Sequence, residues 1–234
     1  MKFTFGIITA GDSRDNLEKV LASIEMQNIP DDCFEVIVVG GNEDYDSALL
    51  KLVSFDETQK KMWITRKKNI ITERAKYENV VYFHDYVMLN PGWYDGFLRY
   101  GNDFQVCMTP IQNVGGSRFR DWTLCPGDIE HIVGDMKMCA LLPYDVSDLS
   151  KHMYFSGAYW IAKKEVMQKY PLDEARGWAD GEDVEWSQRV RQEYTFQLNL
   201  HSSVRLAKPK DPCFTLATPE VIKKLRDYAI LQPK

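Results

Sequence analysis

The chain has 234 residues, of which 44% are hydrophobic and 27% are charged. This is the composition of an ordinary globular protein, so a disordered chain, a collagen or a coiled coil is a poor interpretation, and the length suits one domain with a substantial core. The formal net charge of −5 argues against a protein built around nucleic-acid phosphates.

The apolar runs and the cysteines indicate the cellular compartment of the protein. No apolar run approaches the roughly 18 residues that a membrane span needs, and the apolar start of the chain is followed by Asp12, Arg14 and Asp15 rather than by a small-residue cleavage site. The five cysteines include no CxxC pair, which favours free thiols in a reducing compartment. We therefore expect a soluble, cytoplasmic protein without a membrane span.

Strands and helices alternate through the first half of the chain. Residues 3–9 and 34–39 are nearly continuous apolar runs, as expected of strands buried on both faces. Between them, Leu17, Val20 and Ile24 form part of one apolar helical stripe. The later predictions are a helix over 48–53, a strand over 61–65, a helix over 70–77, a strand over 80–83, a helix from Pro91 to about Tyr100 and a strand over 104–108.

This alternation predicts right-handed crossovers and a mostly parallel sheet flanked by helices, which is an α/β fold. Residues 112–150 are interrupted by glycine and proline and hold no period, which is typical of a functional or mobile segment. The later predictions are a strand over 154–161, helices over 164–169 and 181–193, a strand over 195–200, and a final helix with Thr218 as N-cap and Pro219 as its first residue. We see no internal repeat and expect one domain.

The turn after the first strand is a candidate anion site. In an open α/β sheet, ligands bind outside the carboxyl ends of the strands. Gly11 lets the main chain approach a ligand, and helix-terminal amides attract anions. An ordinary tight turn explains residues 9–12 equally well. The segment is neither GxGxxG nor GxxxxGK[ST], which disfavours dinucleotide-binding and P-loop proteins.

The strand over 80–83 ends at His84-Asp85-Tyr86. A carboxylate there suits Mg²⁺ or Mn²⁺ bridging a substrate diphosphate. The alternative, in which Asp85 caps the following turn and His84 packs in the wall, stays open.

Three acids and two tryptophans accompany the start of the helix predicted over 181–193. Asp180 fits an N-cap and Asp183 the third helical position, so helix capping explains both. A carboxylate here also suits a general base, and Trp178 suits stacking on a sugar face. Both interpretations stay open.

Together these segments resemble the GT-A glycosyltransferases, especially the family-2-like enzymes. The likeness covers roughly residues 2–205, and its most specific parts are the Gly-Glu-Asp helix start and the strand-end acid followed by Asn-Pro-Gly-Trp. The matching segments are 3–11, 36–42, Lys68-Asn69, 81–86, Leu89-Asn-Pro-Gly-Trp93, Ser156-Gly-Ala-Tyr-Trp160 and Gly181-Glu-Asp-Val-Glu-Trp186.

The resemblance implies a GT-A domain whose residues 1–110 bind a nucleotide-sugar, whose residues 111–205 carry the acceptor and catalytic half, and whose residues 206–234 form a helical tail. It implies a UDP- or GDP-sugar donor and a glycan or other hydroxyl acceptor. The implied donor-binding residues are Thr9, Ala10, Gly11, Arg14, Gly41, Asn42, Lys68, His84 and Asp85.

The resemblance also implies Mn²⁺ or Mg²⁺ held by Asp85 and His201. It implies inverting transfer with two catalytic acids, Asp183 as the base and Glu182 beside it, positioning the acceptor or the base. The chain departs from the family where His84 and Tyr86 stand in place of the two acids of a full DxD motif. The acceptor-binding residues would be Trp122, Trp160 and Trp178. The segment 112–150, with Arg118, Arg120, Asp121 and Trp122, would close over the donor.

Two other functions stay open. A sugar nucleotidyltransferase ordinarily has a glycine-rich, basic phosphate loop after its first strand, and Gly11-Asp12-Ser13-Arg14 is a poor version of it. A non-catalytic nucleotide- or sugar-binding module is favoured by the incomplete DxD motif. A retaining mechanism on a similar fold also stays open.

Overall fold

The computed structural model describes residues 1–41, 50–125, 127, 140–211 and 215–231. The strands of this part are β1 (Phe3–Ile8), β2 (Phe34–Val39), β3 (Leu50–Val53), β4 (Asn79–His84), β5 (Val87–Leu89), β6 (Val106–Met108), β7 (Ile111–Gln112), β8 (Thr123–Leu124), β9 (Ala140–Leu141), β10 (Met153–Tyr154), β11 (Tyr159–Lys163), β12 (Phe196–Leu198), β13 (Val204–Leu206) and β14 (Thr215–Leu216). The helices of four residues or more are α1 (Arg14–Glu25), α2 (Ile64–Arg74), α3 (Trp93–Tyr100), α4 (Lys164–Lys169), α5 (Glu182–Val190) and α6 (Pro219–Leu231).

The largest sheet of the described residues has the strand order β12-β6-β11-β4-β1-β2-β3. β11 runs antiparallel to both of its neighbours, and the other pairs are parallel. The predicted α/β class with a mostly parallel sheet is therefore confirmed. Its parallel strands β1, β2 and β4 end side by side, since Ile8 pairs with Val39 and with His84.

An aromatic cluster fixes α3 against the start of β1. The Trp93 ring lies 5.0 Å from Phe3 and 4.5 Å from Phe97, centroid to centroid, and all three side chains are fully buried. Buried aromatic pairs of this kind stabilise beyond the area they bury. The cluster therefore packs α3 against the first half of β1, at the opposite end of the strand from Ile8.

Two predicted elements are wrong. The segment predicted as a helix over 48–53 contains β3, which pairs in parallel with β2. The segment predicted as a strand over 61–65 instead leads into α2, which begins at Ile64 and buries Ile71 against the sheet. Short apolar runs do not distinguish strand from helix, so only the tertiary pairing decides such cases.

The described part of segment 112–150 is a packed substructure. It contributes to a four-stranded sheet, β10-β8-β9-β14, and to a three-stranded sheet, β5-β13-β7. Asp121 is fully buried and accepts hydrogen bonds from Arg118 and from the Tyr144 hydroxyl, each at 2.6 Å. The expectation of a lid is therefore wrong for Arg118, Asp121 and Trp122, because the buried carboxylate fixes this region from within.

The structure also bears on membrane spans and on the state of the cysteines. None of the helices in the described ranges is both long and apolar enough to cross a membrane. Within the same ranges, the free thiols are Cys33, Cys107 and Cys125.

Candidate active site

A cleft of about 450 Å³ lies where β1 and β4 end. Thr9, Ala10, His84 and Asp85 of the predicted donor-binding set line it. Its volume is in the range of small-molecule sites. The carboxyl ends of parallel strands thus form the ligand-sized opening that the α/β pattern predicts.

Asp85 is joined to the end of β1. The Thr9 hydroxyl donates to Asp85 Oδ2 at 2.6 Å, and the Asp85 amide donates to the Ile8 carbonyl at 3.1 Å. Burial raises the pKa of Asp85, and the hydrogen bond from Thr9 opposes that rise. Asp85 is therefore a positioned carboxylate with one oxygen already used by the protein.

Three glycines make a small pocket beside the cleft. Gly11 and Gly41 line it together with Arg14, whose Nε donates to Glu18 at 2.9 Å. Gly11, Gly40 and Gly41 all have positive φ, and the turns after β1 and β2 approach each other there. This brings Gly11, Arg14 and Gly41 together as predicted, whereas Asn42 lies outside the described residues.

Gly40→Ala and Gly41→Ala are a matched test of that close approach. Each change places an alanine at positive φ, at a cost of about 1–2 kcal/mol. A Cβ on Gly40 would lie 2.0 Å from the Thr9 carbonyl oxygen, while a Cβ on Gly41 would come no nearer than 3.6 Å to any atom of the described residues. We expect Gly40→Ala to lower the free energy of unfolding clearly more in urea denaturation. Equal losses would contradict the contact between the two turns.

Asp183 is not among the residues that line the cleft, but it stands at the same edge of the sheet. Its Oδ2 accepts from the Gly157 amide at 2.7 Å, and its Oδ1 accepts from the Val184 amide at 2.9 Å. The next residue after Gly157, Ala158, accepts from the His84 amide at 3.2 Å. The loop before β11 therefore connects the first turn of α5 to the end of β4, next to Asp85.

Glu182 and Lys68 form a buried layer beneath Asp183. Lys68 is fully buried and donates from Nζ to the Gly157 carbonyl at 2.8 Å. Burial lowers the pKa of Lys68, and the charges of Glu182 and Asp183 oppose the change. Burial raises the pKa of Glu182, and Lys68 opposes it. The predicted contact of Lys68 with the donor is wrong, because this ammonium group lies in the interior and supports the loop that holds Asp183.

Gly157 lies in close contact with these two acids. A Cβ at this position would lie 2.7 Å from Glu182 Oε1 and 3.3 Å from Asp183 Oδ2. A larger residue would therefore displace the Glu182 carboxylate, whereas glycine lets the loop before β11 lie directly on the start of α5. The sequence contains Gly157 within the Ser156–Trp160 motif, but no local pattern reveals this reason for it.

His201 does not belong to the cleft. Its carbonyl oxygen lies against α3, where a Cβ on Gly96 would come within 2.2 Å of it, and His201 is not among the residues that line the cleft. Helix α3 packs on the start of β1, whereas Asp85 binds the end of β1. The predicted pairing of Asp85 with His201 around a cation is therefore wrong.

The residues around Asp85 do not fit a divalent cation. One oxygen of Asp85 already accepts from Thr9, and of the two other acids that line the cleft, Asp12 and Glu57, Glu57 is paired with Lys67. Within the described ranges no group of three or more His, Cys, Asp or Glu side chains is placed to hold a metal ion. Instead, the ammonium groups of Lys208 and Lys210 face the same opening, and hard cations prefer oxygen ligands.

The three predicted acceptor-binding tryptophans lie in different surroundings. Trp160 is buried and stacks on Tyr82 at 5.0 Å between centroids. Trp122 is buried and donates to the Val146 carbonyl at 2.8 Å. Both predictions are wrong for this cleft, because both rings are buried and neither lines it. Trp178 is 55% exposed and lines the cleft, so acceptor binding by this residue stays a prediction.

The turn that carries Trp178 differs from the predicted capping box. The N-cap of α5 is Gly181, with φ 65°, and no side chain caps it. Asp180 instead accepts from the Gly177 amide at 2.7 Å. Ala179 also has a positive φ, of 75°. Asp180 thus shapes the Trp178 turn rather than the helix, and the first turn of α5 begins with Glu182 and Asp183.

Sequence reasoning missed Lys208 and Lys210. Both line the cleft, and their ammonium nitrogens lie 4.5 and 4.7 Å from the centroid of the Tyr86 ring. The available signal is the Lys-Pro-Lys run directly after a short apolar segment. In an extended chain, residues two apart point to the same side.

The chain is similar to known proteins in structure but not in sequence. No model of a known protein family matches the chain, and no curated protein matches its sequence. A crystal structure of GalNAc-T7 with UDP, GalNAc and Mn²⁺ is similar, with a TM-score of 0.64 and 12% identity over 97% of this chain and 47% of the other. S. aureus TarS is similar with a TM-score of 0.56 and 16% identity over 98% of this chain and 39% of the other. TarS 1–349 gives 0.55 and 15%, over 98% of this chain and 65% of the other.

This chain thus spans less than half the length of the GalNAc-T7 and TarS chains and about two thirds of TarS 1–349. Likeness at such low identity establishes the fold alone.

Proposed function

We propose that this chain, which has the fold of the GT-A-like glycosyltransferases, moves a sugar from a nucleotide-diphosphate donor to an acceptor hydroxyl with inversion at the anomeric carbon. The observation that supports this most is the position of Asp183. Its carboxylate is held by the Gly157 and Val184 amides at the edge where β4 ends. The GalNAc-T7 structure was crystallised with UDP, which supports a nucleotide-sugar as the donor.

In this proposal the nucleoside lies against the glycine-rich turns at Gly11 and Gly41, and the sugar extends toward Asp183. The acceptor oxygen attacks the anomeric carbon while its proton passes to the Asp183 carboxylate. The bond from the anomeric carbon to the phosphate oxygen breaks, and its electron pair leaves with the nucleoside diphosphate. Trp178, exposed at the mouth, is a platform for a sugar ring.

The remaining parts of the proposal concern the organisation of the chain. Residues 1–110 would carry the donor half, 111–205 the acceptor half and 206–234 the tail. Glu182 would position Asp183 through the shared contact with the Gly157 loop. The proposed reaction has no metal-assisted step, because no group of three or more potential ligands among the described residues is placed to hold a divalent cation.

Donor turnover is the direct test. The full chain is incubated with a panel of UDP- and GDP-sugars, and release of UDP or GDP is followed with and without simple glycan acceptors. We expect release from at least one donor and a product of inverted anomeric configuration by NMR. A product of retained configuration would contradict the single displacement. Pyrophosphate release from a nucleoside triphosphate and a sugar phosphate would instead identify a nucleotidyltransferase.

A non-catalytic nucleotide- or sugar-binding module is the second candidate. The observation that favours it is the single acid in His84-Asp85-Tyr86. Binding of a nucleoside diphosphate by calorimetry, together with no release from any donor, would support the module over the transferase.

A further inference from the structure

The segment after β13 brings two lysines over the middle of the cleft. The Ala207 amide donates to the Tyr86 carbonyl at 2.8 Å, and the Lys210 amide donates to Asn113 Oδ1 at 3.0 Å. The segment is thus anchored on both sides of Lys208. These anchors hold the lysine backbone in place without any ligand.

Both ammonium groups converge on one ring. Lys208 Nζ lies 4.5 Å and Lys210 Nζ 4.7 Å from the centroid of Tyr86, which is itself almost fully buried. Neither lysine forms an ion pair with a carboxylate in the part of the chain that is described. The charge of Asp85 acts on both lysines, but burial and the neighbouring cations outweigh it at Lys210, whose pKa is lowered. Two like charges held side by side therefore favour a bound anion.

The surroundings add positive charge. Burial lowers the pKa of Lys210, and the neighbouring Lys208 and Arg120 add to the effect. Lys67 also lines the cleft, but it is already used by an ion pair with Glu57 and by a hydrogen bond of 2.7 Å to the Thr9 carbonyl. Lys61 lines the cleft as well, but it is a single exposed lysine. The pair over Tyr86 is therefore the part of the cleft where two ammonium groups are held together to receive an anion.

The pair also lies in the right place along the proposed donor. Asp85, the residue before Tyr86, accepts from Thr9 in the turn that contains Gly11, and the His84 amide donates to Ala158 in the loop that holds Asp183. Tyr86 follows Asp85 directly, and its ring lies 5.2 Å from that of His84 at the end of β4. A group bound over Tyr86 is therefore between the proposed nucleoside and the proposed sugar, where the diphosphate belongs.

We infer that Lys208 and Lys210 hold the donor diphosphate, in the role that a divalent cation at Asp85 was expected to play, and that this chain binds nucleoside diphosphates without a metal. The inference rests on the proposed function, because it states how the same cleft holds its donor. As the bond from the anomeric carbon to the phosphate oxygen breaks, negative charge increases on the departing diphosphate. Two ammonium groups fixed beside it stabilise that charge in the transition state.

The test is isothermal titration calorimetry of the full chain with UDP and with GDP, each in EDTA and in excess Mn²⁺. We expect at least one of them to bind with the same Kd in both conditions. The double variant Lys208→Met and Lys210→Met keeps the aliphatic stems over Tyr86. It should weaken binding by roughly tenfold or more for each lysine removed.

The matched control is Lys223→Met with Lys224→Met. These two lysines are exposed on α6 and do not line the cleft, so this variant has the same change in net charge and should keep the wild-type Kd. A second variant, Lys208→Arg with Lys210→Arg, keeps both charges and should retain most of the affinity. Thermal unfolding of each variant shows whether it is folded.

Two results would overturn the inference and leave the transferase proposal in place. One is binding of UDP or GDP that requires Mn²⁺. The other is wild-type affinity of the folded Met double variant in EDTA. If the wild-type chain binds neither UDP nor GDP in either condition, both the inference and the proposed function are wrong.

Discussion

Asp183→Asn is expected to lower kcat by about 10²–10⁴-fold, the range that a positioned general base contributes, while the Kd for the donor changes little. The side chain keeps its size, but an amide cannot take the proton of the acceptor hydroxyl. Asparagine also keeps one acceptor oxygen for either the Gly157 or the Val184 amide, so the loop before β11 stays near its place. Single-turnover kinetics and calorimetry with the same donor separate the two effects.

Glu185→Gln is the matched control for this prediction. Glu185 is in the same first turn of α5, but its carboxylate pairs with Arg189 rather than with the loop before β11. The same loss of charge there should leave kcat almost unchanged. If Asp183→Asn turned over the donor at the wild-type rate, Asp183 would not be the base. An equal loss in both variants would indicate a general effect on α5.

Asp121→Ala is expected to lower the free energy of unfolding by about 3–5 kcal/mol, the cost of removing one partner from a buried ion pair. Asp121 is fully buried and accepts from the main-chain amides of Ile111 and Trp122, at 3.1 and 2.7 Å. It also pairs with Arg118 and binds the Tyr144 hydroxyl. Alanine would leave all four donors without this acceptor. Urea denaturation measures the difference directly.

Asp148→Ala is the matched comparison for stability. Asp148 also pairs with an arginine, Arg226, at 2.7 Å, but the two side chains are 53% and 48% exposed. An exposed pair of this kind contributes about 0–1 kcal/mol. A loss for Asp121→Ala no greater than that for Asp148→Ala would contradict the view that the buried carboxylate organises the segment after β7.

The elements predicted best are those whose local pattern has one physical interpretation. Continuous apolar runs predicted β1, β2 and β4, because strands covered on both faces have no polar side to alternate with. The helix predicted over 164–169 has the bounds of α4, and the last helix begins at Pro219, whose ring is already set to a helical φ. The predictions over 48–53 and 61–65 failed because runs of three to five apolar residues fit either element. Pairing with β2 makes the first segment a strand, and the second leads into α2.

For the site, the sequence by itself determined that Thr9, Asp85 and Asp183 stand at element ends, where an α/β sheet exposes side chains. Only the tertiary structure decided which residues share the opening, because burial and proximity depend on contacts between distant segments. In the folded chain Trp160 and Lys68 are buried, and the carbonyl oxygen of His201 lies against α3. Two hydrogen bonds hold the segment with Lys208 and Lys210 over Tyr86: the Ala207 amide donates to the Tyr86 carbonyl, and the Lys210 amide donates to the Asn113 side chain. Charge at a point in space is a property of the folded chain, so a lone Lys-Pro-Lys run could not reveal it.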